Sequence, residues 1–295
     1  MKYVDGGRYR ITKKLAAHNK KKFGHYIRQF PNWEKDFQLS KEQKNDFDFL
    51  SFSCTYDVEE QVLSILSLLK WYGQPANWYI YSDGTHTEAD KKLLQSLGAF
   101  VKIREWNQNI SRINHPLQDS LFAYAKVAAL GKRLLCYITH PMERTTIFLD
   151  SDIIFYKHIK SSLEAIKHSS RNWFLPDGVW GTMDSRFLKR QTHEGMYQSN
   201  GGFTVLNPGF NWDKAIEFIS TLNNQFEYFS EQTAMHVAGQ SAGAYPLDPR
   251  KFIMHSQDQF LFSTLLDKSA VAIRHYTSPV RHKIWQNGPK WHLNA

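Results

Sequence analysis

The sequence predicts an α/β protein with a mostly parallel, Rossmann-type sheet and helices on both of its faces. Three observations carry that prediction. From residue 46 onward, short runs rich in apolar, aromatic and β-branched residues alternate with helical stretches of ten or more residues. The strand-like runs are apolar nearly throughout, as expected of strands covered on both faces. Glycines at 73 and 98 close the first two helical stretches, where a backbone stop is needed.

Taken in order, DFDFLSFSC (46–54) reads as a buried strand ending in small polar residues. VEEQVLSILSLLKWYG follows as a helix, with Val62, Ile65, Leu66 and Leu69 at helical spacing. NWYIYSDG (77–84) is a second strand running into a turn. Thr87 can cap the helix EADKKLLQSLG. AFVKIREW (99–106) is a third strand, LQDSLFAYAKVAALGKRLL (117–135) one long helix, and RTTIFLDSDIIFY (144–156) a fourth strand. Beyond 156 the pattern loosens. SSLEAIKHSS reads as helix, 171–187 as turns interspersed with aromatics, and GGFTVLN (201–207) as a strand. Residues 211–240 read as helix, loop, helix, and 271–285 as a strand entering a basic loop. Ligands of such sheets sit beyond the carboxyl ends of the strands, which directs attention to residues 53–57, 83–86 and 150–152.

Composition narrows the function. Of 295 residues, 42% are hydrophobic and the mean hydropathy is −0.51; no apolar run approaches the ~20 residues of a membrane span. The N-terminus lacks the apolar core of a secretory signal, and two cysteines, Cys54 and Cys136, cannot make a disulfide framework or a thiolate zinc site. A cytoplasmic protein is the expectation. The formal charge of +9 is concentrated: residues 1–45 hold 12 Lys/Arg against 4 Asp/Glu, leaving the other 250 residues nearly neutral. The expected organisation is therefore a basic N-terminal arm, 1–45, on a single catalytic domain, 46–295. The cluster at 8–28, with apolar residues interspersed, suits a solvated arm or a peripheral contact with anionic lipid headgroups. It suits nucleic acid less well, because the rest of the chain offers no extended basic footprint and no nucleic-acid-binding signature.

The sharpest chemistry lies at Asp150-Ser151-Asp152. An apolar strand that ends in two carboxylates is unusual, because a buried ionised Asp is costly without a partner. In an extended segment residues i and i+2 point the same way, so both carboxylates can face one cation with Ser151 turned aside. Hard ions such as Mg²⁺ and Mn²⁺ take such oxygen ligands and bridge to diphosphates. The plainer reading is a turn with capping aspartates.

FLDSDIIFY resembles the metal-binding strand end of GT-A glycosyltransferases, which use nucleotide-sugar donors. SFSCTY (51–56) resembles their first strand and nucleobase loop. SNGGFTVLN (199–207) is similar to the Asn-Ser-Gly strand of the glycogenin-like family 8 and related retaining enzymes, and Glu231-Gln232 to an Asp-Gln pair opening a later helix. His275-Tyr276-Thr277-Ser278-Pro279-Val280-Arg281, with Trp285, is similar to their C-terminal His-Phe-x-Gly-x-x-Lys-Pro-Trp. The resemblance spans residues 46–285.

It implies Asp150, Asp152 and His275 as metal ligands and Arg281 at the donor phosphates, with Ser151 among the donor-binding residues; Lys283, close to Arg281 in sequence, could close over the phosphates as well. Thr55 and Tyr56 would hold base and ribose, Lys126 would sit near the donor, and Asn200, Gly201 and Gly202 would line the sugar. Asn200, Glu231 and Gln232 would be the catalytic group. Four departures are Gly201 for Ser, Ser278 for Gly, His282 for Pro and Glu231 for Asp. Arg281 in place of Lys keeps the charge and adds a planar fork. Asp258-Gln259 competes with Glu231-Gln232 for the same role.

The implied activity is metal-dependent transfer, with retention, from a nucleotide-diphosphate sugar, UDP-linked by preference, to a glycan, lipid or protein acceptor. Each residue also has a plain structural alternative: His275 a satisfied core histidine, Arg281 and Lys283 a solvated tail, Gly201-Gly202 a bulge, Glu231 a helix first-turn acid with Ser230 as cap. Trp173, Trp180 and Tyr197 could stack on acceptor sugars or pack the core. A sugar nucleotidyltransferase is disfavoured because SCTYDVEE lacks a glycine-rich triphosphate cradle. A silent binding protein attached through the basic arm to a membrane surface or nucleic acid is the non-enzymatic alternative. The sequence does not fix the oligomeric state.

Overall fold

A computed structural model describes residues 6–30, 33–37, 39, 43–178, 181–189 and 197–294. In chain order these form α1 (Gly6–Gln29), β1 (Asp48–Ser53), α2 (Val58–Trp71), β2 (Asn77–Ser82), α3 (Glu88–Gln95) and β3 (Val101–Glu105). There follow α4 (Gln118–Val127), α5 (Ala129–Thr139), β4 (Thr146–Asp150), β5 (Ile153–Phe155), α6 (Ile159–Lys167), β6 (Trp173–Pro176), α7 (Ser185–Leu188) and β7 (Ser199–Leu206). The chain ends in α8 (Asp213–Thr221), α9 (Ser230–Ser241), β8 (Tyr245–Pro246), β9 (Phe252–Ile253), β10 (Ile273–His275), α10 (His282–Gln286) and α11 (Pro289–Leu293). Among the described residues no helix is long and apolar enough to cross a membrane.

The central sheet has the order β3-β2-β1-β4-β7-β6-β8. Pairings β1–β2, β2–β3, β1–β4 and β6–β8 are parallel, while β7 runs antiparallel to both β4 and β6. Two cores form on its two faces. One joins α1, α2 and α6 to the C-terminal helices; the other joins α4, α5, α8 and α9. A second sheet, β5-β10-β9, stands beside the first. The mixed α/β architecture with a mostly parallel sheet flanked by helices is the one the sequence predicts.

Local differences have physical causes. The helix expected over 117–135 is broken at Ala128, whose backbone is extended. Gly131 lets α5 fold onto α4, since a Cβ there would lie 2.5 Å from the Tyr124 carbonyl carbon and oxygen. The fourth strand is also divided. Ser151 and Asp152 form a turn, and β5 leaves the central sheet to pair antiparallel with β10, His275 opposite Ile153. The basic loop expected after the last strand contains α10. Thr87 caps α3 as expected, in a reciprocal capping box with Asp90.

The basic segment read as an arm contains α1, 24 residues long and fastened along its length. Ala16, Phe23 and Ile27 are buried, and Phe23 packs on Trp285 with ring centroids 5.4 Å apart. Asn19 donates to the Trp285 carbonyl (2.8 Å), and Lys20 reaches Glu60 (2.6 Å), which also accepts from Trp285 Nε1 (2.8 Å). Its basic residues thus border a helix that shares the main core.

Candidate metal centre and donor cleft

The centre forms where three backbone irregularities coincide. β4 ends at Asp150, and the turn behind it presents Asp152. β10 delivers His275 alongside that turn. On the other flank β7 bulges: Phe174 pairs with Thr204 but Leu175 with Asn200, so residues 201–203 have no partner on β6. That bulge places Gly201 against Arg133 and Glu231, and Gly202 against His275. A Cβ on Gly202 would lie 2.1 Å from His275 Cε1 and 2.5 Å from Nδ1, so only glycine admits the imidazole here.

His275 Nε2 lies 3.4 Å from Asp150 Oδ2 and 3.2 Å from Asp152 Oδ1. One ligand atom from each of the three residues falls within 4.8 Å of the others. Among the described residues His275 Nδ1 is buried without a hydrogen-bond partner, and Asp152 Oδ1 is buried with only the facing His275 Nε2 beside it. Two carboxylate oxygens and one imidazole nitrogen form a donor set suited to Mn²⁺ or Mg²⁺. The twin acids converge through the turn at 151–152, not through an extended strand as the sequence suggested. Ser151 is buried in that turn.

Two arginines complete the charge balance. Arg133 of α5 contacts Asp150 through Nη1, and donates to both oxygens of Glu231, at 3.0 and 2.6 Å. Arg281 donates to Asp152 Oδ2 from Nε (3.0 Å) and Nη2 (2.8 Å), and to Asp57 from Nη1 (2.9 Å). Burial raises the Asp150 pKa, but Arg133 above all, then His275 and Arg281, hold it well below the usual carboxylate range. Burial by itself lowers the His275 pKa; Asp152 and Asp150 reverse this and raise it to about 9. Burial pushes Glu231 up, against the opposing pull of Arg133.

These residues line a cavity of about 610 Å³ together with Asp177, Asn200, Gln232 and Thr277–Pro279. Asn200 Nδ2 and the Gly201 amide both donate to Gln232 Oε1, at 3.2 and 3.4 Å, and Gln232 Nε2 donates to the Thr182 carbonyl (2.7 Å). Asn200, Gly202, Glu231, Gln232, Asp150, Asp152, His275 and Arg281 therefore meet in one cleft. Asp258 does not: it is buried in a two-point ion pair with Arg274.

The remaining candidates lie outside the lining. Thr55 holds Asp90 (2.8 Å), and Tyr56 is exposed at the carboxyl end of β1 beside Asp57. Lys126 sits on the exposed face of α4. Lys283, expected at the phosphates, is buried instead and donates to the carbonyls of Leu261 and Ser263 (3.2 Å to the latter). Trp173 and Tyr197 pack against the two cores, and Trp180 falls outside the described residues. Arg133 was not foreseen. Its signal is an arginine on the apolar face of ALGKRLLCYIT, four residues before buried Tyr137.

Gly202→Ala is expected to fold but to displace His275, weakening manganese affinity by roughly 10- to 100-fold. A manganese titration followed by electron paramagnetic resonance checks it.

The fold is shared with solved glycosyltransferases. The galactosyltransferase LgtC, in complex with donor and acceptor sugar analogues, superimposes at TM-score 0.50 with 14% identity, over 79% of this chain and 87% of its own. The bifunctional glycosyltransferase WbbM matches at 0.54 and 12%, over 79% of this chain and 46% of its own. GlyE of Streptococcus pneumoniae, a glycosyltransferase in its apo form, matches at 0.51 and 13%, over 85% and 63%. No protein-family model matches the sequence, nor does any curated protein. At these identities the likeness establishes the GT-A-type fold.

Proposed function

We propose that the protein is a metal-dependent glycosyltransferase that moves a sugar from a nucleotide-diphosphate donor to an acceptor, with retention, as in the glycogenin-like family 8. The observation that carries this reading is the Asp150–Asp152–His275 cluster at the carboxyl end of β4, inside a cleft of donor size. A bound divalent ion would neutralise charge on the departing diphosphate. Asp150, Asp152 and His275 would hold it.

The chain's own residues supply the rest. Arg281, partly exposed and anchored on Asp152 and Asp57, is positioned to donate to phosphate oxygens with its planar fork. Arg133 fixes the Asp150 carboxylate and leaves it ionised. Asn200 and Gln232, tied to each other, present amide groups that can orient sugar hydroxyls. Glu231 is engaged by Arg133 through both oxygens, which makes it a positioning residue for Arg133 and Asp150 in place of the direct role the sequence implied.

Ligand binding to the native state raises its stability. A UDP-sugar with Mn²⁺ at about 100 times its Kd is expected to raise Tm by roughly 5–10 °C. Thermal melts with UDP- and GDP-sugars, with and without Mn²⁺, test donor and metal together. Equal melts with and without metal contradict the proposal. Nuclear magnetic resonance of the first sugar anomer released in donor hydrolysis tests retention.

A further inference from the structure

One surface feature lies outside the cleft's chemistry. The loop between β9 and β10 carries Phe260, Leu261, Phe262 and Leu265, which are 46%, 41%, 61% and 47% exposed. Large apolar side chains normally turn inward when a loop can rotate. This loop is held from the inside by its backbone. Lys283 takes the carbonyls of Leu261 and Ser263, Gln286 takes that of Phe262, and Asp258 accepts the amide of Leu265 at 3.0 Å. All three anchoring side chains are buried. Their grip on the backbone leaves the apolar groups facing solvent.

The loop abuts the basic helix. The Phe260 ring lies 5.0 Å from that of Tyr9 in the first turns of α1, and Lys13 Nζ lies 5.0 Å over the other ring, Tyr9. Arg10, Lys14 and Lys21 recur at helical spacing on the exposed face of α1, opposite Ala16, Phe23 and Ile27; Tyr9 shares the packed face, and Lys13 stands between it and the cations. Exposed Ile11, at 61%, stands among them. Fixed apolar side chains next to a stripe of cations fit a surface that is anionic outside and apolar a few ångströms in. A nucleic-acid backbone would use the charges and leave four apolar groups in water.

We infer that the 260–265 loop and the basic face of α1 together dock the protein on an anionic phospholipid bilayer. The inference is independent of the proposed catalytic activity.

Co-sedimentation of the full chain with vesicles of phosphatidylcholine alone, and with phosphatidylglycerol added, tests it. Binding is expected only to the anionic vesicles. Neutralising Arg10, Lys14 and Lys21 to Gln should weaken it by roughly 100-fold, at about fivefold per charge. Phe262→Ser with Leu265→Ser should weaken it at least tenfold while leaving duplex DNA retention unchanged. Circular dichroism confirms folding, since all five sites are exposed. Failure to bind anionic vesicles, equal binding to neutral ones, or a Phe262/Leu265 variant that sediments like the parent protein overturns the inference. So does binding to duplex DNA that outcompetes the vesicles.

Discussion

Asp152→Asn should abolish metal-dependent sugar transfer while the protein stays folded. The side chain is buried and its shape is preserved, so packing is retained; the change removes one negative charge. That charge serves two partners. It faces His275 Nε2 at 3.2 Å and receives two donors of Arg281. It is also the strongest of the influences raising the His275 pKa. An asparagine presents one neutral oxygen, and its amide donors would oppose the guanidinium. Because disturbing even an outer partner of a metal ligand costs 10–100-fold, loss of a ligand charge is expected to weaken manganese binding by on the order of 100-fold or more. Turnover should fall at least in proportion. Manganese titration, product formation and circular dichroism on one preparation separate these effects. Full turnover of the variant, or of the parent protein in EDTA, would refute the proposed function.

The parts of this molecule that could be read from sequence are those governed by a single local rule. β1 and β2 are largely buried on both faces, so each appears as a compact apolar run followed by a helix with its own stop or cap, whereas β3 is the edge strand, with Lys102 exposed. Asp150 and Asp152 stood out because a carboxylate at the end of such a run demands an explanation. His275, Asn200 and Gln232 came through resemblance, and the fold brings them into the same cleft as the acids.

What escaped depends on non-local contacts. Nothing in 117–135 marks Ala128 as a break; the break arises because Gly131 allows two helices to meet backbone to backbone. That refolding leaves Lys126 facing solvent and turns Arg133 into the cleft, so a cation was expected in this region but placed one helix too early. Lys283 looked like a phosphate ligand because it neighbours Arg281. Its side chain instead points inward to satisfy carbonyls 20 and 22 residues away. The basic segment looked like an arm because charge is visible in sequence, whereas the three buried contacts of Ala16, Phe23 and Ile27 require Trp285 and its neighbours to be in place.

Asp258→Ala should be the most destabilising single polar truncation, costing about 3–5 kcal/mol. Asp258 and Arg274 have fully buried side chains and meet through two charge-assisted hydrogen bonds, 2.9 and 2.6 Å. Removing the acid strands a guanidinium in the core and frees the amide of Leu265, loosening the loop that carries the outward apolar groups. A fall in Tm of roughly 10 °C is expected. The pH dependence supplies an internal check. Burial raises the Asp258 pKa but Arg274 lowers it further, so the folded-state value lies below the ordinary one. The pair's stabilisation is then fully present above the unfolded pKa of about 4 and is lost as pH falls through the folded value. The gap in Tm between parent and variant should therefore narrow on acidification below that point. Replacing both partners, Asp258→Leu with Arg274→Met, leaves no orphaned charge and should recover much of the loss. If the single and double variants melt together, the cost comes from the freed loop and not from the stranded cation.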